Sequence, residues 1–188
     1  MTESAAEKAI KPDQNPDDLP TTPAQLMAEL DRLGISYELH KHDPVFTVSE
    51  SAYLKAHIPG IHCRNLFLRD KKKKMYLVVA ANETAVDLKK LQHVIGSDRL
   101  SFGSAERLWE NLGVWPGSVC PFAIINDTKG TVRIVLDKTM MDGDLVNYHP
   151  MINSMTVCLI PDDLKKFIKA TGHEPEVIDL RPAAPDAD

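Results

Sequence analysis

The chain has 188 residues, of which 43% are hydrophobic and 26% are charged, and its formal net charge at pH 7 is −5. This length is typical of one domain with tails, and the acidic balance argues against a general polyanion binder. No apolar run approaches the ~20 residues of a membrane span. Three widely spaced cysteines, an odd number, exclude a disulfide scaffold and predict a reducing, cytoplasmic location.

Both ends of the chain are predicted to be disordered. Residues 1–22 and 181–188 are rich in proline and acid and poor in large apolar side chains. One globular domain then spans residues 23–180. The net charge is −3 on residues 1–22 and −4 on residues 174–188, which leaves +2 for the rest of the chain. The acidity therefore lies in the ends, and the body of the predicted domain is mildly basic.

Hydrophobic periodicity and capping residues predict interleaved helices and strands. In chain order these are helix 23–33, strand 36–40, helix 49–56, strands 65–69 and 75–80, helices 88–95 and 105–111, strands 123–126, 132–136 and 154–160, helix 161–170 and a short strand 177–180. Short connections predict two hairpins, one from the strands at 65–80 and one from those at 123–136. The expected fold is α/β (mixed α+β), with a mixed, largely antiparallel sheet flanked by helices.

Standard catalytic and cofactor motifs do not occur in the sequence. It contains no GxxxxGK[ST] or GxGxxG loop, no HExxH and no GxSxG. His40 and His42 can share a strand face, but no third ligand is suggested, so we expect solvated histidines and no metal. Cys63 and Cys158 lie in apolar segments typical of buried thiols, whereas Cys120 lies in a glycine- and proline-containing loop.

The run Lys71–Lys74 is the most obvious concentration of charge. One interpretation is a solvated hairpin turn that also protects a sheet edge from aggregation. The other is a patch that contacts nucleic-acid phosphates, where each neutralised phosphate releases counterions. The sequence leaves both interpretations open.

Five segments in a fixed order are hard to explain by packing alone. They read PGIHCRNLFLRD at 59–70, TAVDLKKL at 84–91, GSDRLSFG at 96–103, LGVWPGSVCPF at 112–122 followed by INDT at 125–128, and VNYHPMIN at 146–153. Together they resemble the YbaK/prolyl-tRNA-synthetase-associated domain family over about residues 24–180. The resemblance is strongest to its free-standing prolyl-tRNA editing branch, the ProX type.

That resemblance implies an editing domain that hydrolyses the ester between a wrong amino acid, typically alanine, and the tRNA for proline. Such editing is needed because a synthetase pocket for proline gains only about 1–3 kcal/mol against a smaller side chain for each methylene. In this family no metal, cofactor or protein nucleophile takes part. A ribose hydroxyl of the terminal adenosine helps to activate water, and the protein positions the ester.

The resemblance also implies partners. The acceptor end of mischarged tRNA(Pro) is the expected substrate. Prolyl-tRNA synthetase and an elongation factor are further candidate partners, whereas neither DNA nor a membrane is expected.

Individual residues take the family's positions. Arg64 replaces the family's lysine before Asn65, and these two residues with Gly117 form the expected catalytic set. Arginine keeps the charge but is planar and never neutral, which leaves open a deacylase for seryl- or cysteinyl-tRNA, or a non-catalytic tRNA- or synthetase-binding module. The expected substrate-binding residues are Val45, Phe46, Val48, Ser118, Val119, Cys120, Pro121 and His149. The expected tRNA-binding residues are Arg69, Lys71, Lys72, Lys73, Lys74 and Lys138.

Each of these residues, taken singly, also fits a plain structural role. Arg64 fits a surface arginine, the loop around Gly117 an ordinary turn, His149 a loop histidine and Val45 the core. The order and number of the motifs favour the functional interpretation.

Overall fold

The computed structural model describes residues 15–45 and 48–181, without the side chains of residues 48–50. The helices are α1 (Pro23–Arg32), α2 (Val48–His57), α3 (Leu88–Val94), α4 (Ala105–Leu112), α5 (Lys138–Met141) and α6 (Pro161–Ala170). The strands are β1 (Glu38–Lys41), β2 (Ile61–Asp70), β3 (Met75–Ala81), β4 (Leu100–Phe102), β5 (Val132–Asp137), β6 (Val146–Tyr148), β7 (Met155–Leu159) and β8 (Glu176–Ile178). Two 3₁₀ helices, Pro16–Asp18 and Pro121–Asn126, complete the description.

The strands form one mixed sheet in the order β1-β7-β6-β2-β3-β5-β8, and β4 pairs with β2. Within the described residues, the pairs β1–β7, β2–β3, β2–β4 and β6–β7 are antiparallel. The pairs β2–β6, β3–β5 and β5–β8 are parallel. The predicted fold class is therefore confirmed. No helix in the described ranges is long and apolar enough to cross a membrane.

Strand β3 lies inside the sheet, between β2 and β5, and is buried on both faces. Leu77 and Val79 join a core cluster that α1, α4 and α6 cover, whereas Tyr76 and Val78 join a second cluster that α3 covers. Successive side chains of a strand point to opposite faces. Burial on both faces explains why the sequence of β3, MYLVVAA, is an almost continuous apolar run.

Local sequence signals place most helix ends where they were predicted. Thr22 forms a capping box with Gln25 at the start of α1, and Pro23 occupies the first helical position. Gly113 ends α4 in the left-handed conformation, with φ of 58°. A side chain there would also meet Pro20, so this position requires glycine.

The predicted hairpin at 123–136 is wrong. Residues 121–126 form a 3₁₀ helix, and β5 pairs in parallel with β3 and β8 instead. The carboxylate of Asp127 accepts hydrogen bonds from the Val132 N–H and the Thr131 hydroxyl, which closes the turn. The apolar run before it is buried as a helical turn, and a short apolar run does not distinguish these two structures.

The predicted disorder of residues 1–22 needs correction for residues 15–22. Leu19 is 5% exposed and packs in the first core cluster. The Thr21 hydroxyl donates a hydrogen bond of 2.7 Å to the Asn126 side chain. Contacts distant in sequence thus order a segment whose composition suggested a tail. Residues 1–14 and 182–188 lie outside the described residues.

Candidate active site

A small pocket of about 70 Å³ lies at the beginning of β2, where this strand meets β6, β7 and α2. Among the residues predicted for the site, it brings together Val45, Asn65 and His149. The other lining residues are Ser51, Leu54, His62, Cys63, Asn82, Asn147, Tyr148 and Thr156. No carboxylate, lysine or arginine is among these lining residues, so the pocket is polar but carries no fixed charge.

His149 is held as a neutral side chain at this pocket. Its Nδ1–H donates to the Met155 carbonyl at 3.0 Å, because a carbonyl can only accept, and this leaves Nε2 as an acceptor. Burial lowers the pKa of His149 below its usual 6.5, and the neighbouring His42 and His62 lower it further. At neutral pH, His149 therefore offers a lone pair rather than a positive charge.

His42 lies beside His149 and is half-buried, rather than fully solvated as predicted. The centroids of the two imidazole rings are 6.4 Å apart. His42 Nδ1–H donates to the Asp43 carbonyl at 2.8 Å, and Nε2 accepts from the Thr156 hydroxyl at 3.0 Å. No cluster of three or more His, Cys, Asp or Glu side chains in residues 15–45 and 48–181 has the arrangement of a metal site.

The thiols near the site are protonated. Burial raises the pKa of Cys63, which lines the pocket, to about 12, and it raises the pKa of Cys120 to about 11. A thiolate is the nucleophilic form of cysteine. Neither residue therefore provides a nucleophile at neutral pH.

Arg64 lies on the opposite face of β2 from Asn65, since adjacent strand residues point to opposite faces. Its guanidinium donates to the Thr84 carbonyl, and Arg64 does not line the 70 Å³ pocket. The structure thus separates two residues that the sequence analysis placed in one catalytic set.

Asp137 stabilises the turn after β3, whose Thr84 carbonyl accepts the hydrogen bond from Arg64. Its carboxylate is completely buried and accepts hydrogen bonds from the Thr84 hydroxyl and from the Ala81 N–H, the latter at 3.1 Å. It also accepts from the Thr139 N–H at 3.0 Å and so caps α5. The same turn carries Asn82 to the pocket. Asp137 is therefore a positioning residue that the sequence analysis missed.

None of the residues in the loop at 117–121 is among those that line the pocket. Gly117 has φ of +87° and faces open space, whereas Ser118, Cys120 and Pro121 are buried and Val119 packs against the first core cluster. Cys120 Sγ lies 3.8 Å from Met151 Sδ, two residues beyond His149. This loop therefore supports the segment that carries His149 without lining the pocket itself.

Two other predicted substrate-binding residues are less fully described. Phe46 lies outside the described residues. Val48 is the first residue of α2, and its side chain is not described. Their predicted contacts with substrate therefore stay predictions.

The predicted basic contacts lie in two places. Lys71–Lys74 form the turn between β2 and β3, and Arg69 precedes this turn on β2. The end of β2 is roughly 16 Å along the strand from Asn65. Lys72 in this turn pairs with Asp98 at 3.0 Å. The second place is the start of α5, where Lys138 pairs with Asp142, the residue that follows this helix.

A second cleft of about 270 Å³ adjoins the pocket, because both are lined by His62 and Asn82. Its other lining residues are Lys55, Gly60, Ile61, Ala81, Glu83 and Thr139. The site therefore has a small neutral compartment that opens beside a larger one with charged groups at its rim.

The comparisons with known proteins identify the family. Residues 42–167 match the family described as Aminoacyl-tRNA editing domain. Prolyl-tRNA editing protein ProX of Acetoanaerobium sticklandii is 42% identical over 156 residues, which cover 82% of this chain and 95% of that protein. Prolyl-tRNA synthetase associated domain-containing protein 1 of Mus musculus is 38% identical over 162 residues, covering 84% of this chain and 95% of that protein.

Solved structures share the fold. One is the crystal structure of a proposed trans-editing enzyme for prolyl tRNA synthetase, with a TM-score of 0.64 and 18% identity. The match covers 84% of this chain and 96% of that one. The resemblance predicted from the ordered motifs is thereby confirmed. The chain belongs to the aminoacyl-tRNA editing domain family.

Proposed function

We propose that this chain is a trans-editing hydrolase that removes alanine from mischarged tRNA(Pro). The observation that carries the proposal is the neutral 70 Å³ pocket that Asn65 and His149 line. Its volume equals roughly two water molecules at liquid density. A compartment of this size suits a methyl side chain and opposes a pyrrolidine ring, which is the selectivity that an alanine-removing sieve needs.

The proposed reaction is water attack on the carbonyl carbon of the ester. The bond between this carbon and the ribose oxygen breaks, which releases alanine and a tRNA with a free terminal hydroxyl. A ribose hydroxyl of the terminal adenosine helps to activate the water, and the pocket contributes by holding the aminoacyl group in place. The protonated thiols and the neutral His149 fit a site where water is the nucleophile.

The adjoining 270 Å³ cleft is the proposed place of the terminal nucleoside. It is large enough for a group that the pocket cannot hold, and Lys55 at its rim can meet a phosphate. Arg64 and Gly117 stay proposed site residues. The bond to Thr84 uses one of the five N–H donors of Arg64, so others remain for a phosphate or for the ester carbonyl.

Deacylation of purified alanyl-, seryl- and cysteinyl-tRNA tests the proposal. We expect alanyl-tRNA(Pro) to be hydrolysed fastest, because its methyl group is smaller than the side chains of serine and cysteine and so suits the 70 Å³ pocket best. If the seryl or cysteinyl ester is hydrolysed faster, that ester is the substrate instead of the alanyl ester. Retained tRNA binding without hydrolysis of any ester would instead identify a non-catalytic binding module.

The lysine turn is expected to contact tRNA phosphates. Replacing Lys71, Lys73 and Lys74 with glutamine should reduce the slope of log affinity against log salt by about 2–3, since each phosphate contact contributes about 0.7–0.9. Lys72 is left in place because Asp98 already neutralises it. Filter binding over a range of salt concentrations measures the slope.

A matched control replaces three lysines on α6, which are Lys165, Lys166 and Lys169. Helix α6 packs on the first core cluster, and two of these lysines pair with Asp162 and Glu174. The control should leave the slope unchanged. If the turn variant keeps the wild-type slope, Lys71, Lys73 and Lys74 do not contact tRNA phosphates.

A further inference from the structure

Two side-chain oxygens at the pocket are buried and have no hydrogen-bond partner within the described residues. They are Oδ1 of Asn65 and Oδ1 of Asn147, and both residues line the same pocket. Buried polar atoms are nearly always paired, because an unpaired acceptor loses its bonds to water without replacement. Two such acceptors at one small pocket indicate a ligand that donates hydrogen bonds.

The orientation of Asn147 is fixed by its other atom. Its Nδ2 donates to the Pro59 carbonyl at 2.8 Å and lies 3.4 Å from the Ile61 carbonyl. Since carbonyl oxygens only accept, the nitrogen must face them, and Oδ1 must point away from them. Asn147 is 4% exposed, so this oxygen depends on what the pocket holds for a partner.

The remaining polar groups favour the same kind of ligand. No carboxylate and no cationic side chain is among the lining residues. His149 donates through Nδ1 to the Met155 carbonyl, which leaves Nε2 as a third acceptor. A ligand carboxylate or phosphate would meet the lone pairs of these three acceptors. An ammonium group has three N–H donors and no acceptor, so it matches the pocket.

We propose that Asn65 and Asn147 bind the α-ammonium group of the aminoacyl ester through their side-chain oxygens. This inference rests on the proposed function and adds a recognition element to it. The two asparagines are positioning residues: they fix the α-carbon and so direct the ester carbonyl towards the adjoining cleft. The pocket then selects for a free amino group as well as for a small side chain.

The comparison of alanyl- and lactyl-tRNA(Pro) isolates this contact. Lactate carries a hydroxyl where alanine carries the ammonium group, and a hydroxyl donates only one hydrogen bond. Because the electron-withdrawing ammonium group by itself makes the alanyl ester the more labile of the two, each rate is divided by the rate of spontaneous hydrolysis of the same ester. This corrected single-turnover rate of the wild-type protein should favour the alanyl ester by about ten- to a hundredfold, the effect of losing hydrogen bonds to a charged group. Asn65→Ala and Asn147→Ala should lose most of this preference by slowing hydrolysis of the alanyl ester more than that of the lactyl ester.

Asn111→Ala is the matched control, because Asn111 lies on α4 and donates to the Arg107 carbonyl away from the pocket. It should keep the preference. Asn147→Ala also removes the hydrogen bond to the Pro59 carbonyl, which helps to hold the fold. If this variant does not fold, the Asn65 variant alone tests the inference. Equal hydrolysis of both esters by the wild type, or an unchanged preference in the Asn65 variant, would overturn the inference while the proposed function stands. Hydrolysis of neither ester would overturn the proposed function and the inference with it.

Discussion

Replacing Asp137 with alanine is expected to lower the free energy of unfolding by about 3–5 kcal/mol. The carboxylate is completely buried and satisfies the Ala81 N–H, the Thr84 hydroxyl and the Thr139 N–H. Without it, two backbone donors and a hydroxyl lose their acceptor in the protein interior. Alanine also leaves α5 without its N-terminal cap, which contributes about 1 kcal/mol of the loss.

The same substitution should reduce deacylation, because the turn after β3 carries both Asn82 and the Thr84 carbonyl that Arg64 contacts. Urea denaturation measures the stability change. Asp142→Ala, directly after the same helix, is the control: Asp142 forms an exposed pair with Lys138, and such pairs are worth about 1 kcal/mol or less. If both substitutions lower the free energy of unfolding by the same small amount, Asp137 does not stabilise the turn.

Replacing His149 with alanine is expected to admit proline to the pocket. The imidazole forms part of the wall of a 70 Å³ compartment, so its removal should leave space for the pyrrolidine ring. The ratio of alanyl- to prolyl-tRNA(Pro) hydrolysis should fall by about ten- to a hundredfold, the range that a methylene-sized difference provides. Deacylation of the two esters under identical conditions measures this ratio.

His149→Phe is the matched variant, because phenylalanine fills the same space without the ring nitrogens. It should keep proline excluded if size decides. If the alanine variant keeps a high ratio of alanyl- to prolyl-tRNA(Pro) hydrolysis, another wall of the pocket excludes proline. A low ratio in the phenylalanine variant would show that the Nε2 acceptor, and not the volume of the ring, carries the selectivity.

Sequence patterns predicted the elements that depend on local signals. Thr22 with Pro23 begins α1, Gly113 ends α4, and the Lys71–Lys74 turn joins an antiparallel pair, all as expected. Strands β4 and β6 were not predicted. Each has only three residues, and it forms because β2 or β7 offers a partner strand. These strands therefore depend on contacts distant in sequence, which a local pattern does not show.

The composition of the pocket was predictable only in part. Asn65 and His149 were predicted from the ordered motifs, and Val45 was predicted from the family resemblance outside those motifs. Asn147 and Asp137 carried a weaker signal: each is a polar residue in or at the end of an apolar strand, where a side chain must find a partner. The side of β2 on which Arg64 lies depends on strand register, which the motif itself does not contain.

The most direct test of the proposed activity is single-turnover deacylation of alanyl-tRNA(Pro) and prolyl-tRNA(Pro) by the wild-type protein. The neutral pocket of 70 Å³ predicts rapid hydrolysis of the alanyl ester and a prolyl ester that stays intact. Hydrolysis of both esters at similar rates, or of neither, would contradict the account.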